Sequence, residues 1–229
     1  MSEWATIILA GGTSTRMKSK LPKVLHTVCG RSLLKHVSSA VSDIGSSQTI
    51  YVESSKLTEL HGANENLVKG FEVVVQPEPL GTADAVKKAL SSVNRAENLI
   101  VGVADTPLLS SSTIKSLKDC HLNSGVVMTV LTAHVEDPSG FGRIVRDDHG
   151  ELSRIVEESV SCEKVKQIKE VNAGWYCFNT HWLRNHINKI TKSLTGEFFL
   201  TDLLTEAKNT SKVASVSVKD PIEALGVND

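Results

Sequence analysis

The sequence predicts an α/β protein built on a mostly parallel sheet with helices on both faces. Three observations carry that reading. Apolar runs of strand length recur at residues 5–9, 49–52, 71–75, 99–103 and 126–132. Segments with apolar residues at helical spacing separate them, and a β-α-β-α order builds a parallel sheet. The runs are nearly continuous rather than alternating, as in strands covered on both sides.

Taken in order, residues 5–9 form a buried strand that ends in Ala10, Gly11 and Gly12. Leu33, Leu34, Val37, Ala40, Val41 and Ile44 fall on one helical face, and Gly45 stops that helix. Strands at 49–52 and 71–75 follow, the second halted by Pro77 and Pro79. The spacing of Ala83, Val86, Ala89 and Leu90 predicts a helix over 82–90. A strand at 99–103, a helix opened by the serines at 110–112, and a strand at 126–132 complete the alternating half.

After Gly140 the texture changes. Residues 143–146 and 152–156 flank Asp147-Asp148-His149-Gly150, a hairpin signal and a small β insertion. Residues 161–169 are polar and read as a turn or short helix, 171–178 as a strand, and 182–190 and 200–207 as helices. Asp220-Pro221-Ile222-Glu223 fits a capping box that braces the last residues. The expected organisation is one domain over 1–229, with a first half over about 1–135 and a second over about 136–229.

Composition narrows the class. The 229 residues are 40% hydrophobic but only 4% aromatic, so the core is aliphatic. A charge of -1, from 25 Lys+Arg against 26 Asp+Glu, argues against nucleic acid as a partner. No apolar run approaches the roughly 20 residues of a membrane span, so no membrane partner is expected. The four cysteines, Cys29, Cys120, Cys162 and Cys177, show no metal-ligand spacing and read as reduced thiols of a cytoplasmic protein.

The charge is not evenly spread. No acidic residue lies between Trp4 and Ser42, whereas Arg16, Lys18, Lys20, Lys23, Arg31 and Lys35 all fall there. These cations follow a strand and a glycine pair, Gly11-Gly12-Thr13-Ser14-Thr15-Arg16. Glycines let backbone N–H groups approach an anion, and basic side chains neutralise it. In open α/β sheets ligands bind beyond the carboxyl ends of the strands. The loop after the first strand is therefore the candidate phosphate site. It is neither a Walker A loop nor a GxGxxG fingerprint.

Leu9-Ala10-Gly11-Gly12-Thr13-Ser14-Thr15-Arg16-Met17, followed by Leu21-Pro22-Lys23-Val24-Leu25-His26, resembles the signature loop of sugar-phosphate nucleotidylyltransferases. Within that superfamily the resemblance is to the pyrophosphorylase domain of bacterial N-acetylglucosamine-1-phosphate uridylyltransferases. Further matching segments follow in order: Gln76-Pro77-Glu78-Pro79-Leu80-Gly81-Thr82-Ala83, Asp105-Thr106-Pro107-Leu108, Gly140-Phe141-Gly142-Arg143-Ile144 and Ile155-Val156-Glu157. Val171-Asn172-Ala173-Gly174, Gly196-Glu197-Phe198-Phe199-Leu200-Thr201-Asp202 and Gly226-Val227-Asn228 continue the series.

The resemblance implies a Rossmann-like, nucleotide-diphospho-sugar transferase fold and uridylyl transfer from UTP to N-acetylglucosamine 1-phosphate, giving UDP-N-acetylglucosamine and pyrophosphate. It implies that Arg16 and Lys23 are catalytic. Arg16 would stabilise the triphosphate and Lys23 the transferring phosphate. Leu9, Ala10, Gly11, Gly12, Gln76, Gly81 and Thr82 would hold the nucleotide, with Gln76 on the uracil edge. Read without the family, Thr82 is a helix N-cap and Gly81 a turn residue. Gly142, Glu157 and Asn172 would hold the sugar, and Asp105 with Asn228 would hold Mg²⁺.

Some positions depart from the family pattern: Ser14 and Ala104 replace glycines, Val103 stands where an aromatic is usual nearby, and Phe141 replaces a tyrosine, Asp84 a histidine and Ala173 a threonine. They keep two alternatives open, a different sugar 1-phosphate or NTP, and a catalytically weak nucleotide-sugar binding domain. The family trimerises and transfers acetyl groups through a hexapeptide-repeat β-helix. No such repeat occurs here, so no acetyl transfer is expected of these residues.

Overall fold

In the computed structural model, which describes residues 3–12, 17–62 and 71–227, the expected alternation is present. The chain runs β1 (Trp4–Leu9), β2 (Thr27–Val28), β3 (Arg31–Ser32), α1 (Leu33–Ser42), β4 (Gln48–Ser54), α2 (Ser55–Gly62), β5 (Glu72–Gln76), α3 (Thr82–Leu90) and β6 (Asn98–Val103). It continues with α4 (Ser111–Ser124), β7 (Met128–His134), β8 (Arg143–Arg146), β9 (Leu152–Val156), α5 (Glu163–Lys166), β10 (Glu170–Asn179), α6 (Thr180–His186), α7 (Leu203–Thr210) and β11 (Val213–Ser217).

The main sheet is ordered β11-β7-β10-β6-β1-β4-β5, with β8 and β9 branching from β10. Strands β6, β1, β4 and β5 are mutually parallel, and β7 is parallel to β11. Within that order β10 runs against β6 and β7, and the β8–β9 branch is also paired antiparallel. The sheet is therefore mixed but mostly parallel. Both faces are dry at the central strands, which is why those strands read as continuous apolar runs. Ala5 and Ile7 of β1 face a layer built with α3, α6 and α7. Trp4 and Ile8 face a layer built with α1, α2 and α4.

Local chemistry sets several boundaries. Ser110 caps α4 by accepting from the Thr113 backbone N–H at 3.2 Å, and Asn179 caps α6 through Trp182 at 2.9 Å. Helix α6 passes into a 3₁₀ turn at Ile187–Lys189, and α7 is preceded by one at Leu200–Asp202. The expected helices at 182–190 and 200–207 are thus each an α-helix joined to a 3₁₀ turn.

Two cap readings are corrected. Thr82 is not an N-cap: Gly81 takes that position, with no side-chain cap, and Thr82 is the first residue of α3. Its hydroxyl accepts instead from the Leu200 backbone N–H at 2.9 Å. The box at Asp220–Glu223 is half made. Asp220 accepts from Ile222 N–H at 3.1 Å, but Glu223 takes the Ser110 N–H and hydroxyl at 3.0 and 2.9 Å. Glu223 thereby ties the chain end to the start of α4.

Three elements carried no clear sequence signal: the β2–β3 hairpin, α2 and β11. One close approach is built with glycine. An added Cβ at Gly102 would lie 2.4 Å from the Trp175 ring. That contact lets the Trp175 indole donate to the Thr106 hydroxyl at 3.0 Å, pinning the turn after β6.

Candidate active site

The carboxyl ends of β1, β4, β5 and β6 lie side by side, and the residues that follow them form a crevice. Gly11 leaves β1 against the backbone of β4: a Cβ there would meet Ser54 N at 3.3 Å and Glu53 C at 3.4 Å. Ala10 is anchored by donating to the Val52 carbonyl at 2.8 Å and is buried in the layer opposite the crevice. Leu9, Gly11, Gly12, Gln76, Gly81 and Thr82 line one hollow of about 200 Å³. A neighbouring hollow of about 210 Å³ shares Gly11, Gly12 and Gln76 and reaches Pro22 and Lys56. Six of the seven expected nucleotide residues therefore meet at one place.

At the edge of this crevice the Lys23 ammonium is ion-paired with the Asp105 carboxylate. Lys23 sits in a 3₁₀ turn (Lys23–Leu25), and Asp105 follows β6. The Val227 N–H donates to the Asp105 carbonyl at 3.0 Å, so the chain end returns to this point. Arg16 and Asn228, the other expected catalytic and metal residues, lie outside the described residues.

The expected sugar residues also converge. A Cβ at Gly142 would meet Glu157 Oε2 at 3.3 Å and the Asn172 Cβ at 3.6 Å, and the Gly142 carbonyl accepts from Asn172 N–H at 2.8 Å. The β10–β7 register is broken between Asn172 and Tyr176, just past the Asn172–Thr132 pair. Its amide donates to the Tyr176 hydroxyl at 2.6 Å and accepts from Gly174 N–H at 3.1 Å. One amide hydrogen and one oxygen lone pair remain.

Glu157 accepts from the Thr201 hydroxyl at 2.7 Å. Burial pushes its carboxyl above the usual range. The Thr201 hydrogen bond opposes that, and the nearby charges of Asp202 and Glu197 add to it. Under the nucleotide loop, burial raises Glu53 to about 7, against a hydrogen bond from Thr58.

Residues 196–202 match the family pattern but carried no assigned role, and in the structure they join the two halves. The Phe198 N–H donates to the Leu80 carbonyl at 2.8 Å, and its own carbonyl accepts from Ala83 N–H at 2.9 Å. Leu200 binds Thr82, and Thr201 binds Glu157. Residues 198–201 thus strap the hollow lined by Gly81 and Thr82 to the group of Gly142, Glu157 and Asn172.

Among the described residues, no group of three His, Cys, Asp or Glu side chains gathers as a metal cage. Mg²⁺ does not need one, because it binds through one or two carboxylates plus substrate phosphates and water. Asp105 fits that type of site.

The chain is 40% identical over 235 aligned positions to the bifunctional protein GlmU of Bacillus cereus, and equally to that of Bacillus mycoides. The match takes in all of this chain but 50% of those proteins, so the chain spans about half the length of the curated relatives it matches. Among solved structures, a Bacillus anthracis protein described as a candidate glucose-1-phosphate thymidylyltransferase, with a sucrose bound, superposes with a TM-score of 0.76 at 19% identity. That alignment covers 94% of this chain and 87% of the other. HddC from Yersinia pseudotuberculosis complexed with GMP-PN gives a TM-score of 0.70 at 22% identity, over 96% and 93% of the two chains. These structures share the fold. The MobA-like NTP transferase domain model matches residues 6–168, which include Lys23, Gln76, Asp105 and Glu157, and the chain belongs to that family.

Proposed function

We propose that the chain transfers a uridylyl group from UTP to N-acetylglucosamine 1-phosphate, giving UDP-N-acetylglucosamine and pyrophosphate. The sugar phosphate oxygen attacks the α-phosphorus in line and pyrophosphate leaves. Two polyanions must meet, so catalysis rests on positioning and charge neutralisation. The observation that carries this reading is the Lys23–Asp105 pair, a cation and a carboxylate beside a glycine-lined hollow at the strands' carboxyl ends. The 40% identity, along all of this chain and half of the GlmU proteins, supports this choice of substrates.

Each group has a task in this scheme. Gly11 and Gly12 admit the nucleotide phosphates close to the backbone, and Arg16 neutralises the leaving pyrophosphate. Lys23 holds the α-phosphate as a compact point charge. Gln76, Gly81 and Thr82 set the base. Gly142, Glu157 and Asn172 hold the sugar hydroxyls and amide. Asp105 and Asn228 would hold Mg²⁺, which when bound supplies positive charge for the phosphate oxygens. In this reading the substrates are small molecules and the chain acts in the cytoplasm. No helix among the described residues is long and apolar enough to cross a membrane.

A second reading keeps the chemistry and changes the sugar. It is motivated by Phe141 and Ala173, which stand next to Gly142 and Asn172. Pyrophosphate release with a panel of NTPs and sugar 1-phosphates, with and without Mg²⁺, tests both. Turnover confined to UTP and N-acetylglucosamine 1-phosphate supports the first reading. Turnover with another sugar selects the second, and none with any pair sinks both.

A further inference from the structure

Gln76 is buried, and its amide nitrogen lies between two acceptors. It donates to the Gly81 carbonyl at 3.1 Å and to Asp84 Oδ2 at 2.8 Å. A side-chain amide has two hydrogens, and both are spent here. The opposite flip would set Oε1 against a carboxylate and a carbonyl, leaving buried acceptors facing one another. The other oxygen of Asp84 is held by the Lys88 ammonium at 3.1 Å, one turn along α3. The oxygen of Gln76 must therefore face away from α3. It does so toward Gly11, where an added Cβ would stand 3.6 Å from Oε1. The hollow accordingly meets Gln76 as an acceptor with no free donor.

We propose that Asp84 is a positioning residue that sets nucleobase selectivity by fixing the Gln76 amide with its oxygen toward the base. An acceptor at that point takes a base whose ring nitrogen carries hydrogen, as in uracil or thymine. It rejects cytosine, whose corresponding nitrogen is itself an acceptor. This deepens the reading of the hollow as the nucleotide site and rests on it. Asp84 does not touch the base and acts through Gln76.

The experiment compares UTP with CTP in wild type, Asp84→Ala and Asp84→Asn, by equilibrium binding and by kcat/KM, with thermal melting as a check on folding. Wild type should prefer UTP. Asp84→Ala frees the amide to rotate and should lower the UTP:CTP ratio by about tenfold, the worth of one hydrogen bond. Asp84→Asn can still accept from Gln76 and should restore most of the ratio. Wild type binding CTP as well as UTP would overturn the proposal, as would a folded Asp84→Ala variant with the wild-type ratio. Should wild type turn over no substrate pair while its UTP preference still depends on Asp84, the proposed reaction falls and the positioning role stands.

Discussion

The Lys23 ammonium and the Asp105 carboxylate, 82 positions apart in the chain, form one ion pair at the mouth of the crevice. In the free protein each is the other's counterion. In the proposed reaction Lys23 would turn to phosphate and Asp105 would hold the cation. Two outcomes follow. Asp105→Ala should lower turnover by at least about 100-fold, the scale of losing one preorganised electrostatic group, with an unchanged circular dichroism spectrum. Lys23→Ala should lose activity comparably. Yet it should bind Mn²⁺ more tightly in the absence of nucleotide, because Asp105 has lost its competing cation. A manganese titration in which the two proteins bind alike would refute the counterion role.

Glu157 faces the Gly142 backbone and is held by Thr201. If it accepts from sugar hydroxyls as proposed, it should matter for binding more than for chemistry. Glu157→Gln is expected to raise KM for the sugar 1-phosphate by roughly 10- to 100-fold, in line with about 1.5–3 kcal/mol for a charge-assisted hydrogen bond, while KM for UTP holds. Burial raises its carboxyl above the usual range. In wild type the sugar KM should therefore worsen on the acid side at a higher pH than an ordinary glutamate would give, and Glu157→Gln should remove that bend. A KM profile with the same bend in both proteins would assign the titration elsewhere.

Gly81 has φ +107°, and a Cβ there would lie 2.5 Å from the Phe198 carbonyl oxygen and 2.7 Å from its nitrogen. Neither the left-handed backbone nor the fixed strap can give way cheaply. Gly81→Ala should cost at least about 2 kcal/mol, from strain plus displaced backbone. Because Phe198–Thr201 joins both halves of the site, KM for nucleotide and for sugar phosphate should rise together. Retention of the wild-type melting temperature would mean that the strap is not held by this contact.

The central strands β1 and β6 were legible because they are dry on both faces and leave uninterrupted aliphatic runs, and edge strand β5 was legible from its valine run although Glu72 and Val75 are exposed. β11 was not: Val213–Ser217 alternates valine with alanine and serine and is mostly half-buried at the sheet's edge. α2 is largely polar, and Leu57 is its anchor in the core. The cations after β1 could be read from their segregation alone. The grouping of Gly142 with Glu157 and Asn172 came from resemblance, since nothing in their spacing brings them together. The strap was hidden because its bonds to Leu80, Thr82 and Ala83 span more than a hundred positions and two of them, Phe198 with Leu80 and with Ala83, are made by backbone atoms that carry no sequence signal. The Asp84–Gln76 contact was equally invisible, since Asp84 reads as an ordinary first-turn helix acid.

Glu53 closes β4 beneath the Gly11 loop and is fully buried. Its carboxyl is raised from 4.5 to about 7, chiefly by burial. Between those values the folded protein holds a proton that the unfolded chain has lost, so stability falls as pH rises through the window and levels off above it. The full penalty is about 3 kcal/mol, because each tenfold gain in proton affinity on folding is worth about 1.4 kcal/mol. Glu53→Gln keeps an acceptor for Thr58, which donates at 3.3 Å, and removes the titration. Urea unfolding from pH 4.5 to 8 should therefore show wild type losing stability relative to Glu53→Gln, mostly below pH 7. Two stability curves that stay parallel across that range would show that Glu53 remains charged in the fold.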